Sequence, residues 1–196
     1  MAVFVAPFMV AACGGDQVPP ALAGMVRTPT PTVELRGIVD DAGTPVVLTA
    51  PDRGLMLVYF GYTSCPDVCP TTLYDLRSAL EQVGSRAMEV DLTFVSVDPE
   101  RDTDEILDGY VQSFVESGDG VRLSDPTVLA EMAERFGASY DRTVADDGTI
   151  EVSHSAFLYA LDAGGRLLVS WPFGTTRDEL ARDIDILLDQ LEASDA

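Results

Sequence analysis

An α/β fold, an open sheet closed by an antiparallel hairpin, is the architecture this chain predicts, and three observations carry it. Two runs of strand length, 55–60 (LMLVYF) and 92–97 (LTFVSV), have the composition of strands buried on both faces. Between and after them, apolar residues recur at helical spacing with recognisable starts and stops. Toward the C-terminus, 156–161 and 167–171 flank Asp162-Ala163-Gly164-Gly165 and read as a hairpin.

The elements follow in order. Residues 33–39 and 46–49, around Asp40-Asp41-Ala42-Gly43, predict an N-terminal β-hairpin, and the strand 55–60 comes next. A helix follows with Pro70 in its first turn, Leu73, Leu76, Leu80 and Val83 on one face, and Gly84 as its stop. After 92–97, Asp102-Thr103-Asp104-Glu105 sets an acid three residues beyond a cap candidate, and Ile106, Tyr110 and Phe114 continue at helical spacing. Asp125-Pro126 opens a third helix with Val128, Leu129, Met132 and Phe136 inward and Gly137 at its end. After the closing hairpin, the capping box Thr176-Arg177-Asp178-Glu179 leads into Leu180, Ile184, Leu187, Leu188 and Leu191. The order is ββ–β–α–β–α–α–ββ–α, with no internal repeat.

At 196 residues and 46% hydrophobic, the chain is long enough for one packed domain plus a tail. Its 33 acidic residues face 12 basic ones, all Arg, for a net charge of −21. Such a surface repels phosphate backbones and anionic lipid head groups, which argues against nucleic acid and electrostatic membrane partners. Residues 2–12 are uncharged and mostly apolar, too few to span a bilayer as a helix but suited to a secretion signal. Val10-Ala11-Ala12-Cys13 resembles a bacterial lipobox, where cleavage exposes a cysteine for acylation. The expected layout is a lipoprotein-type signal over 1–12, open to a start upstream of Met1 because no basic residue precedes the apolar run. A flexible Gly/Pro/Thr-rich tether follows over 13–32, with lipidation at Cys13, and then a folded domain over 33–193.

The chemistry concentrates in Gly61-Tyr62-Thr63-Ser64-Cys65-Pro66-Asp67-Val68-Cys69-Pro70. This segment follows a buried strand and opens a helix, so it sits at the carboxyl edge of the sheet, where open α/β folds place their sites. Cys65 and Cys69, at i and i+4, share a helical face and can close a disulfide or chelate one metal. Helix-start amides favour thiolate there. Structural zinc wants four Cys or His ligands, and with Cys13 in the tail the domain offers Cys65, Cys69 and the single His154. A soft set of three suits copper better. On composition alone a lone His is more often a packing or surface residue than a ligand.

Three signatures in order, Gly61 to Leu73, Ser96-Val97-Asp98-Pro99-Glu100-Arg101-Asp102-Thr103, and Val152-Ser153-His154-Ser155, closely resemble the Sco/SenC family. These are membrane-anchored copper proteins of thioredoxin-like fold that help assemble the dinuclear copper site, CuA, of cytochrome c oxidase. The resemblance covers roughly 33 to 191. It implies a thioredoxin-like fold in which the loop before the closing hairpin meets the start of the first helix. It also implies that Cys65, Cys69 and His154 bind copper, and that the partner is the CuA domain of oxidase subunit II, with a periplasmic protein as copper donor. The implied location is the extracytoplasmic face of a bacterial membrane, held there by the lipid anchor alone. Ser64 stands where many relatives carry His, which removes an auxiliary donor but none of the three ligands. A thiol-disulfide reductase acting through the redox pair Cys65 and Cys69 is the alternative. Thioredoxins, however, use CxxC and face it with a cis-Pro, where this chain has Ser153-His154. Peroxiredoxins want a Thr three residues before the Cys, whereas Thr63 is two before Cys65. Asp67, Asp98 and Tyr62 stand close to the same edge and are not counted as ligands.

Overall fold

In the computed structural model, residues 21–35, 37–41 and 43–194 are described. A fully buried apolar run forms the middle strand of a five-stranded sheet. All seven residues of β1 (Leu55–Gly61) are buried, because the strand is flanked on both sides and covered on both faces. β2 (Val90–Ser96) pairs parallel to it, and β3 (Asp119–Val121) pairs parallel to β2. A second two-stranded unit, β4 (Tyr140–Val144) with β5 (Ile150–His154), stands apart from the main sheet. β6 (Phe157–Leu161) then runs antiparallel to β1, and β7 (Leu167–Pro172) antiparallel to β6, giving the order β3-β2-β1-β6-β7.

Among the described residues, four α-helices and a short 3-10 helix (Gly84–Glu89) complete the fold: α1 (Val68–Val83), α2 (Asp104–Gln112), α3 (Pro126–Phe136) and α4 (Arg177–Ser194). The boundary chemistry follows the sequence. Asp125 accepts from the Thr127 amide, Pro126 opens α3, and Gly137 ends it in the left-handed region at φ +67. Thr176 and Glu179 form the reciprocal capping box of α4, with the Thr176 amide donating to Glu179 at 2.9 Å. α1 packs against α4, burying Leu73, Leu76, Leu180, Ile184 and Leu188. Each such side chain contributes about 1.5–3 kcal/mol on burial.

Several expectations need correction. In α2 the buried residues are Leu107 and Val111, while Ile106 is 51% exposed. The reason is the cap: Thr103, not Asp102, accepts from the Ile106 amide, and the helix presents Leu107 to Gly120. Asp102, released from that task, is buried beside the cysteine loop. The N-terminal hairpin is present as a turn with an isolated bridge, Val39 to Pro45, rather than as two strands. Its flank pairs elsewhere, with the Val33 amide donating to the Gly165 carbonyl at 2.8 Å. Of the stretch expected to be a tether, residues 21–32 lie against the domain as a strap along β7. Met25 and Ser170 exchange two backbone hydrogen bonds, and Asp183 accepts from the Ala23 and Gly24 amides. The short β3 and the β4–β5 hairpin were not foreseen from periodicity.

Candidate metal centre

β1 delivers the chain to the carboxyl edge of the sheet, and Gly61, its last residue, lets Phe94 and Cys69 approach the backbone closely. A Cβ at Gly61 would lie 2.7 Å from the Phe94 ring and 2.9 Å from Cys69 Sγ. The loop carrying Tyr62, Thr63 and Cys65 is held from behind by Asp102, which accepts from the Thr63 hydroxyl at 2.5 Å and its amide at 3.2 Å. The Ser96 hydroxyl donates to the same carboxylate at 2.6 Å. α1 then begins at Val68, so Cys69 sits in its first turn, fully buried, and its amide donates to Cys65 Sγ at 3.4 Å. Both thiols are free.

His154 ends β5 and arrives from the opposite side of the site. Its Nε2 lies 3.5 Å from Cys69 Sγ, and its Nδ1 lies 3.3 Å from the Ser155 carbonyl. With Nδ1–H donated to that carbonyl, the Nε2 lone pair faces the sulfur. The rings of Tyr59 and Tyr62 meet the imidazole edge-on, each at 6.0 Å between centroids. One ligand atom each from Cys65, Cys69 and His154 lies within 4.8 Å of the others. The structure thus brings together the three residues singled out in the domain. Cys13 lies outside the described residues.

Electrostatics at the site follow from burial. Burial pushes the Cys69 thiol well above the ordinary thiol range, although a backbone hydrogen bond from Tyr62 favours the thiolate. Burial likewise holds His154 below the ordinary imidazole range, which keeps it neutral, as a metal ligand must be. The Tyr62 phenol is pushed up to about 12, first by burial and then by the charge of Cys65. A protonated, buried Cys69 is a poor nucleophile, whereas a soft cation displaces its proton directly. Two sulfurs and one imidazole are one ligand short of a structural zinc site, and their softness matches copper.

The secondary candidates fall around the centre rather than in it. Tyr62 donates its hydroxyl to the Val152 carbonyl at 3.4 Å and lies under the Arg101 guanidinium. Asp67 accepts from the Thr71 hydroxyl in the first turn of α1. Asp98 is fully buried and paired with Arg101 and Arg142. Asp102 and Arg142 went unrecognised in the sequence. An available signal was Asp147-Gly148 between Tyr140–Val144 and Ile150–His154, a turn dipeptide that marks the hairpin bearing Arg142 and His154.

The fold and the site have counterparts among known proteins. A family model described as SCO1/SenC matches residues 35–189. The SCO2-like protein RP587 of Rickettsia prowazekii is 33% identical over 116 residues, covering 58% of this chain and 56% of that protein. The mitochondrial SCO1 homolog of Homo sapiens is 32% identical over 132 residues, covering 66% of this chain and 44% of that protein. Among solved structures, Bradyrhizobium japonicum ScoI with copper bound is 33% identical, with a TM-score of 0.63. The match covers 75% of this chain and 93% of that one.

Proposed function

We propose, since the chain belongs to the SCO1/SenC family, that it binds copper at Cys65, Cys69 and His154. It delivers that copper to the CuA site of cytochrome c oxidase as the enzyme is assembled. The observation that carries this reading is the meeting of two thiols and one neutral imidazole within 4.8 Å. A similar protein, the Bradyrhizobium ScoI, has been solved with copper bound. The partner is the CuA-bearing subunit of the oxidase, and copper arrives from a periplasmic donor. Among the described residues no helix is long and apolar enough to cross a membrane. Anchoring on the extracytoplasmic face is assigned to acylation of Cys13, on the lipobox-like run Val10-Ala11-Ala12-Cys13.

The pair of free, neighbouring thiols supports a second reading, a reductase that keeps the CuA cysteines reduced. Metal analysis separates the two. The reduced chain should hold one copper, with thiolate charge-transfer absorption in the Cu(II) form. Cys69→Ser should abolish tight Cu(I) binding, since one thiolate and one imidazole leave the ion exchangeable. His154→Ala should lose Cu(II) binding and oxidase assembly while Cys65 and Cys69 still cycle between dithiol and disulfide. Normal oxidase assembly with His154→Ala would replace copper delivery by the reductase reading.

A further inference from the structure

The imidazole reaches the thiols on an arm. β4 and β5 pair only with each other, and His154 is the last residue of the second strand. Paired residues of an antiparallel ladder share a face, and here Tyr140 opposes His154 while Arg142 opposes Val152. These four are partly buried, whereas the alternate residues Asp141, Thr143, Glu151 and Ser153 are exposed. Arg142 therefore lies on the face that carries the imidazole inward, one inward position along from it.

From that face its guanidinium crosses to the turn between β2 and α2. Nε lies 3.0 Å from Asp98 Oδ1, and the terminal nitrogen lies 2.7 Å from Glu100 Oε2. Asp98 is fully buried and Arg142 partly so, and the two-point hold of one guanidinium on Asp98 and Glu100 sets direction as well as attraction. The turn belongs to the cysteine side of the site. The Asp98 amide donates to Ser96 Oγ at 3.1 Å, Ser96 donates to Asp102, and Asp102 holds Thr63, two residues before Cys65. A continuous polar chain thus runs from the cysteine loop to the arm, and Arg142 is its final link.

We propose that Arg142 is a positioning residue of the metal centre: it seats the β4–β5 arm on the Asp98 turn and so holds His154 against the two thiols. Removing Arg142 does not orphan a buried charge, because Asp98 keeps Arg101. The effect is thereby directed to the arm rather than to folding as a whole. The inference rests on the copper reading, and a copper-free measurement keeps the two apart.

With one histidine, the full chain has one imidazole signal in its NMR spectrum. In the reduced, metal-free protein the Tyr59 and Tyr62 rings, which meet the imidazole edge-on, should displace that signal. Arg142→Ala should move it toward the position of an exposed imidazole. The same variant should weaken Cu(II) binding ten- to a hundredfold, the usual cost of losing a group that orients a metal ligand, and erase the nitrogen coupling in the Cu(II) resonance spectrum. The dithiol–disulfide midpoint of Cys65 and Cys69 should stay as in wild type, and Arg142→Lys should recover part of the Cu(II) affinity. An imidazole signal and Cu(II) affinity unchanged in Arg142→Ala overturn the proposal, whatever happens to thermal stability. Should that variant fail to fold, Glu100→Gln must shift the signal in the same direction by less, and no shift overturns it equally. A wild-type chain that binds no copper, yet whose imidazole moves in Arg142→Ala, refutes the copper reading and leaves the positioning role standing.

Discussion

Cys69 and His154 show how far burial alone prepares a site. The folded protein holds the imidazole neutral below its ordinary range and the thiol protonated above its own. These shifts are also statements about stability. As pH falls through about 6.5, the unfolded chain takes up a proton on His154 that the folded one refuses, so the unfolded state gains. As pH rises through about 8.5, the unfolded chain releases a Cys69 proton that the folded one keeps, and again the unfolded state gains. Reduced, metal-free protein should therefore be most stable between these values, as read by urea unfolding from pH 5 to 9.5. His154→Ala should flatten the acid side between pH 6.5 and 5, and Cys69→Ser the alkaline side. An alkaline limb that survives Cys69→Ser would assign the loss to another group. Bound copper should remove the alkaline limb in wild type, since the metal takes the place of the proton.

At the scale of elements, the strap over residues 21–32 ties together parts of the chain that are distant in sequence. The buried Asp183 accepts from the Trp171 indole at 2.9 Å and from the Ala23 and Gly24 amides at 2.7 and 3.0 Å. Gly24 is required at this approach, since a Cβ there would lie 2.3 Å from Val169. Arg27 reaches the Phe136 carbonyl at the end of α3, so α3, α4 and β7 all meet the strap. Asp183→Ala leaves four donors without their acceptor, the half-exposed Arg182 guanidinium among them, and should cost on the order of 2–4 kcal/mol in denaturant unfolding. It should also expose the strap to limited proteolysis, while Asp183→Asn, which retains an acceptor oxygen, loses less. Unaltered protease protection in Asp183→Ala would show that β7 alone holds the strap. The Pro/Thr-rich composition of 21–32 suggested a free linker because its partners, Ser170 and Asp183, lie about 145–160 residues further along.

For the whole molecule, charge and the proposed anchor have to be reconciled. A net charge of −21 opposes adsorption to an anionic bilayer, so the proposed membrane residence would require apolar insertion. Acyl chains on Cys13 would supply it, at about 0.8 kcal/mol per buried CH2. Cys13→Ser should release the protein from membranes in a fractionation assay and leave its copper content unchanged. Continued sedimentation with membranes would refute the lipid anchor. The proposed copper site does not depend on this, since Cys65, Cys69 and His154 all lie among the described residues.

Local signals determined much of this protein by themselves. The two strands of apolar composition, the caps at Asp125-Pro126 and Thr176…Glu179, and the i,i+4 cysteine pair at a strand-to-helix junction depend on neighbours a few residues apart, and they were legible as such. Asp98-Pro99 and the thiol pair also marked the edge of the sheet where the site lies. Only the tertiary structure decided what depends on distant partners. It gave Asp102 to Thr63 and Ser96 instead of to a helix cap, laid the strap on β7, and raised an arm from a polar stretch whose alternation is interrupted by charge. It also brought His154, 85 residues from Cys69, to 3.5 Å from its sulfur. The physical reason is the same in each case. A cap or an amphipathic face is settled by local hydrogen bonds and periodicity, whereas a buried acid, an edge pairing or a ligand set is settled by whichever complementary group the folded chain brings within reach.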